Sequence, residues 1–254
     1  MKISCQATIT KLSSRSKQIR NFSPVKSLDW CSPGREKRAS DWSNKGIQSD
    51  KDDSPLSQFG IIAAMSKNGV IGLNGRLPWN TIPEDRNYFN EITRDKILIL
   101  GRKSFEEDPS SLTHVHKCIV LSRTLNQHSY DQKFVEVVSS FSDALLLAQL
   151  TQREKKEKEK KTSECHDALD CWIAGGERIY QQALTHPSAK ELHLTIIDID
   201  NTDNVNIVDK TSSSVVRFPP SYRWDHYFRQ AKSWDQSDTS SEYNYKFYIY
   251  RRKR

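Results

Sequence analysis

Short apolar runs, most of them next to a helical pattern, constrain the fold of this chain more than any other feature. Runs of four to eight residues are too short for buried helices and fit strands that are covered on both faces. They lie at Phe59–Met65, Ile97–Leu100, Cys118–Leu121, Phe134–Val138, Cys171–Ala174 and Leu192–Ile199. Strands that alternate with helices predict an α/β fold, a single three-layer domain with a mostly parallel central sheet.

The C-terminal segment, from Tyr243 to Arg252, follows a different pattern. Tyr245, Phe247 and Ile249 occupy every second position, and a period of two is typical of a strand with two unlike faces. We therefore expect an antiparallel strand that closes the sheet.

The first 57 residues differ in composition from the rest of the chain. They contain 11 Lys/Arg and 6 Asp/Glu, whereas residues 58–254 contain 28 and 26. Up to Lys26 there are six basic residues, no acidic one and many Ser and Thr, as in an organelle transit peptide. A disordered tail or a misassigned gene start explains this composition equally well. Residues 27–57 are polar and have the composition of a linker.

This division predicts a disordered basic extension over residues 1–57 and one folded domain over residues 58–254. The expected location is the cytoplasm, or a mitochondrion or plastid if the extension acts as a transit peptide.

The bulk properties exclude several classes of protein. Most of the net charge of +7 lies in the extension, so we expect no clustered basic face for nucleic acid in the folded part. Five irregularly spaced cysteines argue against a disulfide framework. No apolar run approaches the ~20 residues of a membrane span. The oligomeric state is open, with a monomer favoured.

A run of nine charged residues extends from Arg153 to Lys161. Glu154 and Lys158 are four residues apart, a spacing that supports a solvated helix. We interpret residues 151–170 as a charged surface insertion, and a recognition role as the weaker alternative.

The stretch from Ala63 to Trp79 contains three glycines after a predicted strand. Glycine permits positive φ and lets a flat ligand approach the backbone. Pro83 then suits a first helical turn, and the following helix places Asp85 on the same face as Phe89.

Asp85 is the first candidate for chemistry. A carboxylate that faces an apolar pocket needs a partner, and the two adjacent N–H donors of a 2-amino-4-oxo pyrimidine ring would provide one. On the residues alone, the alternative that Asp85 only caps the helix is favoured.

Nine blocks of sequence follow one another in a characteristic order: Ile62-Ala63-Ala64, Val70-Ile71-Gly72, Leu77-Pro78-Trp79, the helix from Asp85 to Thr93, Gly101-Arg102-Lys103-Ser104-Phe105, residues 173–180, Leu192-His193-Leu194-Thr195, Phe218-Pro219 and the C-terminal aromatic strand. Together they resemble the dihydrofolate reductase family over residues 59–254, apart from the charged insertion. The resemblance implies NADPH-dependent hydride transfer to 7,8-dihydrofolate, which gives tetrahydrofolate for one-carbon metabolism.

The resemblance assigns catalytic roles to three residues. Asp85 would hold the pterin ring and promote protonation of the ring nitrogen next to the carbon that accepts hydride. Thr195 would support Asp85 through a hydrogen bond, and Trp79, with Leu77, would belong to a mobile loop that excludes water. The walls of the pterin and nicotinamide pocket would be Ile62, Ala64, Phe89 and Tyr180.

The resemblance also implies NADPH as cofactor. Backbone N–H groups at a helix N-terminus attract phosphate, and Arg102 and Lys103 favour the 2′-phosphate that distinguishes NADPH. The peptide bond between Gly175 and Gly176 is expected to be cis, as in the family. The predicted cofactor-binding residues are Ala64, Ile71, Gly72, Gly101, Arg102, Lys103, Ser104, Ser122, Arg123, Gly175, Gly176, Glu177, Arg178 and Ile179.

The chain departs from the family at the end that binds the glutamate tail of folate. Alignment puts His116 where the family has an arginine for the tail carboxylate, so weaker tail binding is expected. Asp108 replaces an apolar residue that packs on the benzoyl ring. Arg86 follows Asp85 where a hydrophobic residue is common; it either replaces the missing carboxylate partner or faces solvent.

Two other functions stay open. The pyrimidine reductase of riboflavin synthesis shares the architecture and NADPH, although Leu77-Pro78-Trp79 followed by Asp85 favours the folate enzyme. A catalytically inactive relative retained for binding is the second. His114, His116 and Cys165-His166 near Cys171 raise the question of a metal, but structural-zinc spacing is lacking and none is expected.

Overall fold

The structure, a computed structural model, describes residues 58–125, 130–131, 133–159, 169–199, 214–236 and 243–254. The basic extension and the second half of the charged insertion therefore lie outside the described residues. The strands are β1 (Phe59–Ser66), β2 (Val70–Leu73), β3 (Ile97–Gly101), β4 (Lys117–Leu121), β5 (Val135–Val138), β6 (Cys171–Ile173), β7 (Ala189–Ile197), β8 (Val215–Arg217), β9 (Phe228–Gln236) and β10 (Tyr245–Arg252). The helices are α1 (Pro83–Thr93), α2 (Arg102–Glu107), α3 (Phe141–Glu159) and α4 (Glu177–Thr185), with 3-10 turns at Pro109–Leu112 and Ser221–Arg223.

Eight of the strands form one twisted sheet in the order β5-β4-β3-β6-β1-β7-β10-β9. The first six are mutually parallel, and β10 joins β7 in antiparallel register with Phe247 opposite Thr195. This arrangement confirms the predicted α/β class and the closing antiparallel strand.

Three strands were not predicted from the sequence. β2 and β8 are only four and three residues long and pair with each other in a separate two-stranded sheet. β9 lies at the edge of the main sheet and is largely polar. Neither a very short strand that contains glycine nor a solvated edge strand produces the unbroken apolar run of four to eight residues on which the prediction depended.

Alternate side chains of the central strands enter different layers, because successive residues of a strand point to opposite faces. Ile97 and Ile99 of β3 pack with α3 and α4, while Leu98 and Leu100 pack with α1 and α2. Burial on both faces explains why these strands are continuous apolar runs. The result is the predicted three-layer domain.

The charged run continues α3 away from the core. Ala144, Leu145 and Ala148 in its first half are buried, whereas most of the residues from Arg153 to Lys158 are exposed. The predicted helical extension is therefore confirmed up to Glu159. None of the helices in the described ranges combines the length and apolarity needed to cross a lipid bilayer.

Candidate active site

Two strand-to-helix turns meet side by side at the carboxyl ends of β3 and β6, which are neighbours in the sheet. The Gly101 N–H donates a hydrogen bond to the Gly175 carbonyl oxygen at 2.7 Å. The peptide bond between Gly175 and Gly176 is cis, which confirms that prediction. Gly175 has a φ of 109°, and a Cβ at this position would lie 3.0 Å from the hydroxyl oxygen of Tyr180. Only glycine fits this turn.

Because both turns are formed by glycines, no side chain from these turns covers the main-chain N–H groups at the start of α4. Gly176 immediately precedes α4, whose first turn is formed by Glu177, Arg178 and Ile179. The N–H groups of a first helical turn lack partners within the helix and favour an anion. Ser104 of α2 faces the same turn, since its Oγ lies 3.5 Å from where a Gly176 Cβ would be. This backbone cradle fits the phosphates of a dinucleotide.

The charged residues predicted for the cofactor lie near these turns, but one is already paired. Arg102, at the start of α2, donates to Glu106 one helical turn later at 2.7 Å. Lys103 and Arg123 are exposed. The Ser122 hydroxyl oxygen, just after β4, accepts from the N–H of Thr124 and so fixes the turn that carries Arg123. A phosphate would compete with Glu106 for Arg102.

Asp85 lies in the first turn of α1 and contacts the sheet. Its carboxyl group lies close enough to the hydroxyl of Thr195, which is only 3% exposed on β7, for that hydroxyl to lower its pKa. Burial raises the pKa of Asp85 above its usual value, and the Thr195 hydrogen bond acts in the opposite direction. The sequence alone did not decide whether Asp85 only caps α1 or faces the sheet. Its proximity to Thr195 shows that the side chain faces β7.

Tyr180 connects the acid to the glycine turns. Its hydroxyl donates to the carbonyl oxygen of Ile62 at 2.9 Å, beneath the Gly175 turn. Burial raises the pKa of the Tyr180 hydroxyl, and the charge of Asp85 raises it further. The charge of Asp85 therefore acts on the same hydroxyl that lies next to the Gly175 turn.

The other residues predicted for the pocket walls and the cofactor lie on β1, α1 and β2. Ala64 pairs with Thr195 across β1 and β7. Phe89 packs in the same cluster as Ile62. Ile71 and Gly72 lie in β2, where Gly72 pairs with Val216 of β8.

The segment between β2 and α1 is held at both ends. Trp79 is 7% exposed and packs with Ile82 and Phe247, whereas Leu77 is 47% exposed. The Leu77 N–H donates to the carboxylate of Glu107 at 3.1 Å. Trp79 is thus buried against Ile82 and Phe247, while Leu77 projects outward.

Comparison with known proteins agrees with this geometry. The sequence profile of the dihydrofolate reductase family matches residues 58–252. The chain belongs to the dihydrofolate reductase family. This match confirms the predicted family and, with it, the predicted class of enzyme, an NADPH-dependent oxidoreductase.

Individual dihydrofolate reductases are similar over most of their length. One from Enterococcus faecium is 33% identical over 155 residues, which cover 60% of this chain and 80% of that protein. One from Buchnera aphidicola is 29% identical over 193 residues, 74% of this chain and 96% of that protein.

A solved structure gives the same fold. The dihydrofolate reductase from Enterococcus faecalis, complexed with NADP(H) and RAB-propyl, superposes with a TM-score of 0.56 at 22% identity. The superposition covers 78% of this chain and 98% of that chain.

In this chain, the region predicted to bind the glutamate tail of folate contains an ion pair that the sequence did not predict. Arg86 donates to Asp108 at 2.8 Å, and this hydrogen bond is the main reason why the pKa of Asp108 falls to about 2. Arg86 is exposed to solvent, which was one of the two alternatives predicted for it. Its ion pair with Asp108, which was not predicted, links the two departures from the family pattern.

The two histidines of this region point to different neighbours. His116, the residue that alignment assigns to the tail, is exposed and lies 3.6 Å from Asp95, next to α3. His114 instead packs edge-on against Phe89 and hydrogen-bonds Thr93 at 2.7 Å, both on α1. It is thus His114 that lies beside a predicted substrate wall. Burial lowers the pKa of His114, and nearby Arg94 and Arg86 lower it further.

Sequence reasoning missed a second polar contact between α1 and β7. Tyr88 and His193 share a hydrogen bond of 2.8 Å between the Tyr88 hydroxyl and His193 Nδ1. A signal was present, because His193 precedes Thr195 by two residues and so shares its face of the strand.

A metal centre has no support in the described part of the chain. No group of three or more His, Cys, Asp or Glu side chains there could hold an ion. Cys165 and His166 lie outside the described residues, while Cys118 and Cys171 are free, buried thiols whose pKa values burial raises to about 12.

Proposed function

We propose that this chain reduces 7,8-dihydrofolate to tetrahydrofolate with NADPH, and that Asp85 is its catalytic carboxylate. The observation that carries the proposal is the match of the dihydrofolate reductase profile to residues 58–252, together with the joined glycine turns of Gly101 and Gly175 that pack on Tyr180. The pterin ring would present its two N–H donors to Asp85 while the glycine turns receive the cofactor.

The residues present fit NADPH. Gly101, Gly175 and Gly176 offer backbone at two adjoining strand ends, and Lys103 and Arg123 offer exposed positive charge near them. NADPH, when bound, would supply the hydride. The part of the protein is to orient the pterin and to limit access of water around Trp79.

Asp85 would control the proton. Burial favours the protonated carboxyl, so a proton is retained near the pterin at a pH where an exposed aspartate has lost it. The hydroxyl of Thr195 limits the rise in the pKa of Asp85, because a hydrogen bond from this hydroxyl stabilises the ionised carboxylate. The rate should therefore fall as pH rises through the pKa of Asp85 in the complex.

Replacement of the acid tests the proposal. Asp85→Asn keeps the shape but cannot exchange this proton, so kcat at neutral pH should fall by about a hundredfold or more. The measurement is loss of NADPH absorbance with dihydrofolate, alongside fluorescence titration with NADPH, which should be unchanged. Thr151→Val, which removes a buried hydroxyl from α3, is the control. Full activity of Asp85→Asn would contradict the role.

The glutamate tail is proposed to pass His114. This residue contacts Phe89, and Arg94 is close enough to influence its pKa. Since the pKa of His114 is lowered and both of its ring nitrogens already have partners, in Thr93 and the Ser111 carbonyl oxygen, it offers the tail carboxylate neither a charge nor a free N–H. Weak recognition of the tail carboxylate at neutral pH is the expected consequence.

We propose that the basic segment up to Lys26 is an organelle transit peptide, because it has six basic and no acidic residues with interspersed Ser and Thr. We also propose that the enzyme is a monomer that binds neither nucleic acid nor membrane. Residues 1–57 fused to a fluorescent protein should enter a mitochondrion or plastid. A diffuse cytoplasmic signal would overturn the targeting role, and sedimentation of the full chain would decide the oligomeric state.

A further inference from the structure

Two adjacent polar pairs join α1 to β7. The Thr195 hydroxyl lies close enough to Asp85 to lower its pKa, and Tyr88, one turn later on the same face of the helix, shares a hydrogen bond of 2.8 Å with His193. His193 and Thr195 are two residues apart and share one face of β7. The first turn of α1 has no side-chain N-cap. Contacts farther along the helix must therefore help to fix where Asp85 lies.

His193 is the centre of a polar chain that starts at the surface. Arg251 donates to Glu191 at 3.0 Å, and the Glu191 carboxylate lies 3.2 Å from His193 Nε2. A carboxylate only accepts, so Nε2 carries a proton, and in the tautomer whose single proton is on Nε2 the Nδ1 atom is left as an acceptor. The Tyr88 hydroxyl then donates to Nδ1. The ion pair thus sets the tautomer that can receive Tyr88.

Aromatic packing removes the freedom of both rings. His193 is 4% exposed, stacks on Tyr88 with ring centroids 5.9 Å apart, and meets the edge of Trp172 at 4.8 Å. On its other side Tyr88 packs against Phe247 at 4.7 Å. Burial, followed by the charge of Glu191, raises the pKa of Tyr88, so its hydroxyl stays protonated and remains a donor.

We propose that Tyr88 and His193 are positioning residues for Asp85. Their hydrogen bond fixes the register of α1 on β7 so that the Asp85 carboxylate stays in contact with the Thr195 hydroxyl. The inference rests on the proposed function, because it assigns a role in the same proton transfer. Neither residue touches the reacting atoms in this role.

The two nitrogens of His193 allow a matched test. In His193→Asn the amide oxygen can replace Nδ1 as the acceptor for Tyr88, whereas His193→Gln places its amide near Nε2 and loses that acceptor. Tyr88→Phe removes only the hydroxyl. Thr195→Val provides the reference, and Thr151→Val controls for loss of a buried hydroxyl elsewhere.

The readout is the pH dependence of kcat with dihydrofolate and NADPH. Loss of the Thr195 hydrogen bond raises the pKa of Asp85, so Thr195→Val should move the midpoint of the fall in rate to higher pH. Tyr88→Phe and His193→Gln should move it the same way, and they should lower the kcat that is reached on the low-pH plateau by about two- to tenfold, the effect of one net hydrogen bond. His193→Asn and Thr151→Val should keep the parent midpoint.

Two results would overturn the proposal. One is a parent-like midpoint in Tyr88→Phe; the other is an equal shift in His193→Asn and His193→Gln. A double-mutant cycle of Tyr88→Phe with Thr195→Val on urea unfolding needs neither substrate nor cofactor. Non-additive losses would support coupling through α1, and additive losses would contradict it. An inactive parent enzyme would instead refute the proposed function and leave this cycle to decide the positioning role.

Discussion

Two opposing effects act on the pKa of Asp85, and their balance suits the residue to hold or release a proton. Burial favours its neutral form, and the Thr195 hydroxyl favours its ionised form. A carboxyl exposed on a helix would have neither influence and would be fully ionised at neutral pH. The same burial that makes the acid useful must reduce the stability of the fold.

The first prediction concerns that loss of stability. Because the folded-state pKa of Asp85 is raised, its contribution to stability is present below the unfolded value of 3.8 and is lost as pH rises through the folded value. Asp85→Asn removes the charge, so it should unfold at a higher temperature than the parent at neutral pH. Calorimetry should show the difference shrinking at about pH 3, where the parent carboxyl is protonated. A less stable variant at neutral pH would contradict the raised pKa.

The second prediction compares the two histidines of the tail region. His114→Arg places a permanent charge beside Phe89, so KM for dihydrofolate should fall by about three- to tenfold with little change in kcat. His116→Arg changes the same residue type beside Asp95 and should leave KM unchanged. Steady-state kinetics of both variants provides the measurement. If only His116→Arg lowers KM, the tail follows the path that alignment alone predicted.

At the scale of elements, the sheet depends on one close contact between neighbouring strands. Gly60 of β1 lies beside Trp172 of β6, and a Cβ on Gly60 would lie 2.4 Å from the indole ring. The ring in turn meets His193 edge-on. Because Gly60 has no side chain, the indole of Trp172 can pack against β1. The indole in turn contacts His193, which belongs to the chain of polar contacts near Asp85.

The third prediction follows from this contact. Gly60→Ala should lower the free energy of unfolding by about 1–3 kcal/mol, because the core must move to accept the methyl group. Gly72→Ala is the matched control, since its Cβ would make an ordinary contact of 3.5 Å with Val216. Urea unfolding monitored by tryptophan fluorescence measures both. Equal stability of the two variants would show that Trp172 yields without loss.

At the scale of the whole molecule, the residues of the site come from distant parts of the chain and meet at one region of one sheet. The first of them is Ile62 and the last is Thr195, and the family profile covers residues 58–252. None of the proposed site residues belongs to the basic extension.

The fourth prediction tests that separation. A protein that starts at Gln58 should keep the kcat and KM of the full chain, because it retains every proposed catalytic and cofactor-binding residue. Kinetics and thermal unfolding of both forms provide the measurement. A large loss of activity would assign residues 1–57 a part in the site.

Local patterns were sufficient for much of this fold. The apolar runs predicted the parallel strands, Pro83 and the following spacing predicted α1, and the period of two after Tyr243 predicted β10. Ordered motifs predicted the family and the cis peptide bond at Gly175. These features are encoded within a few consecutive residues, or in their order along the chain.

Only the tertiary structure decided which side chains face one another. Arg86 pairs with Asp108, His114 rather than His116 packs on Phe89, and Tyr88 reaches His193 across 105 positions of sequence. The sequence determined the elements and their order, because backbone preference and hydrophobic period are local properties. Partner choice, burial and the resulting pKa of Asp85 depend on how a helix is seated on a strand far away in the chain.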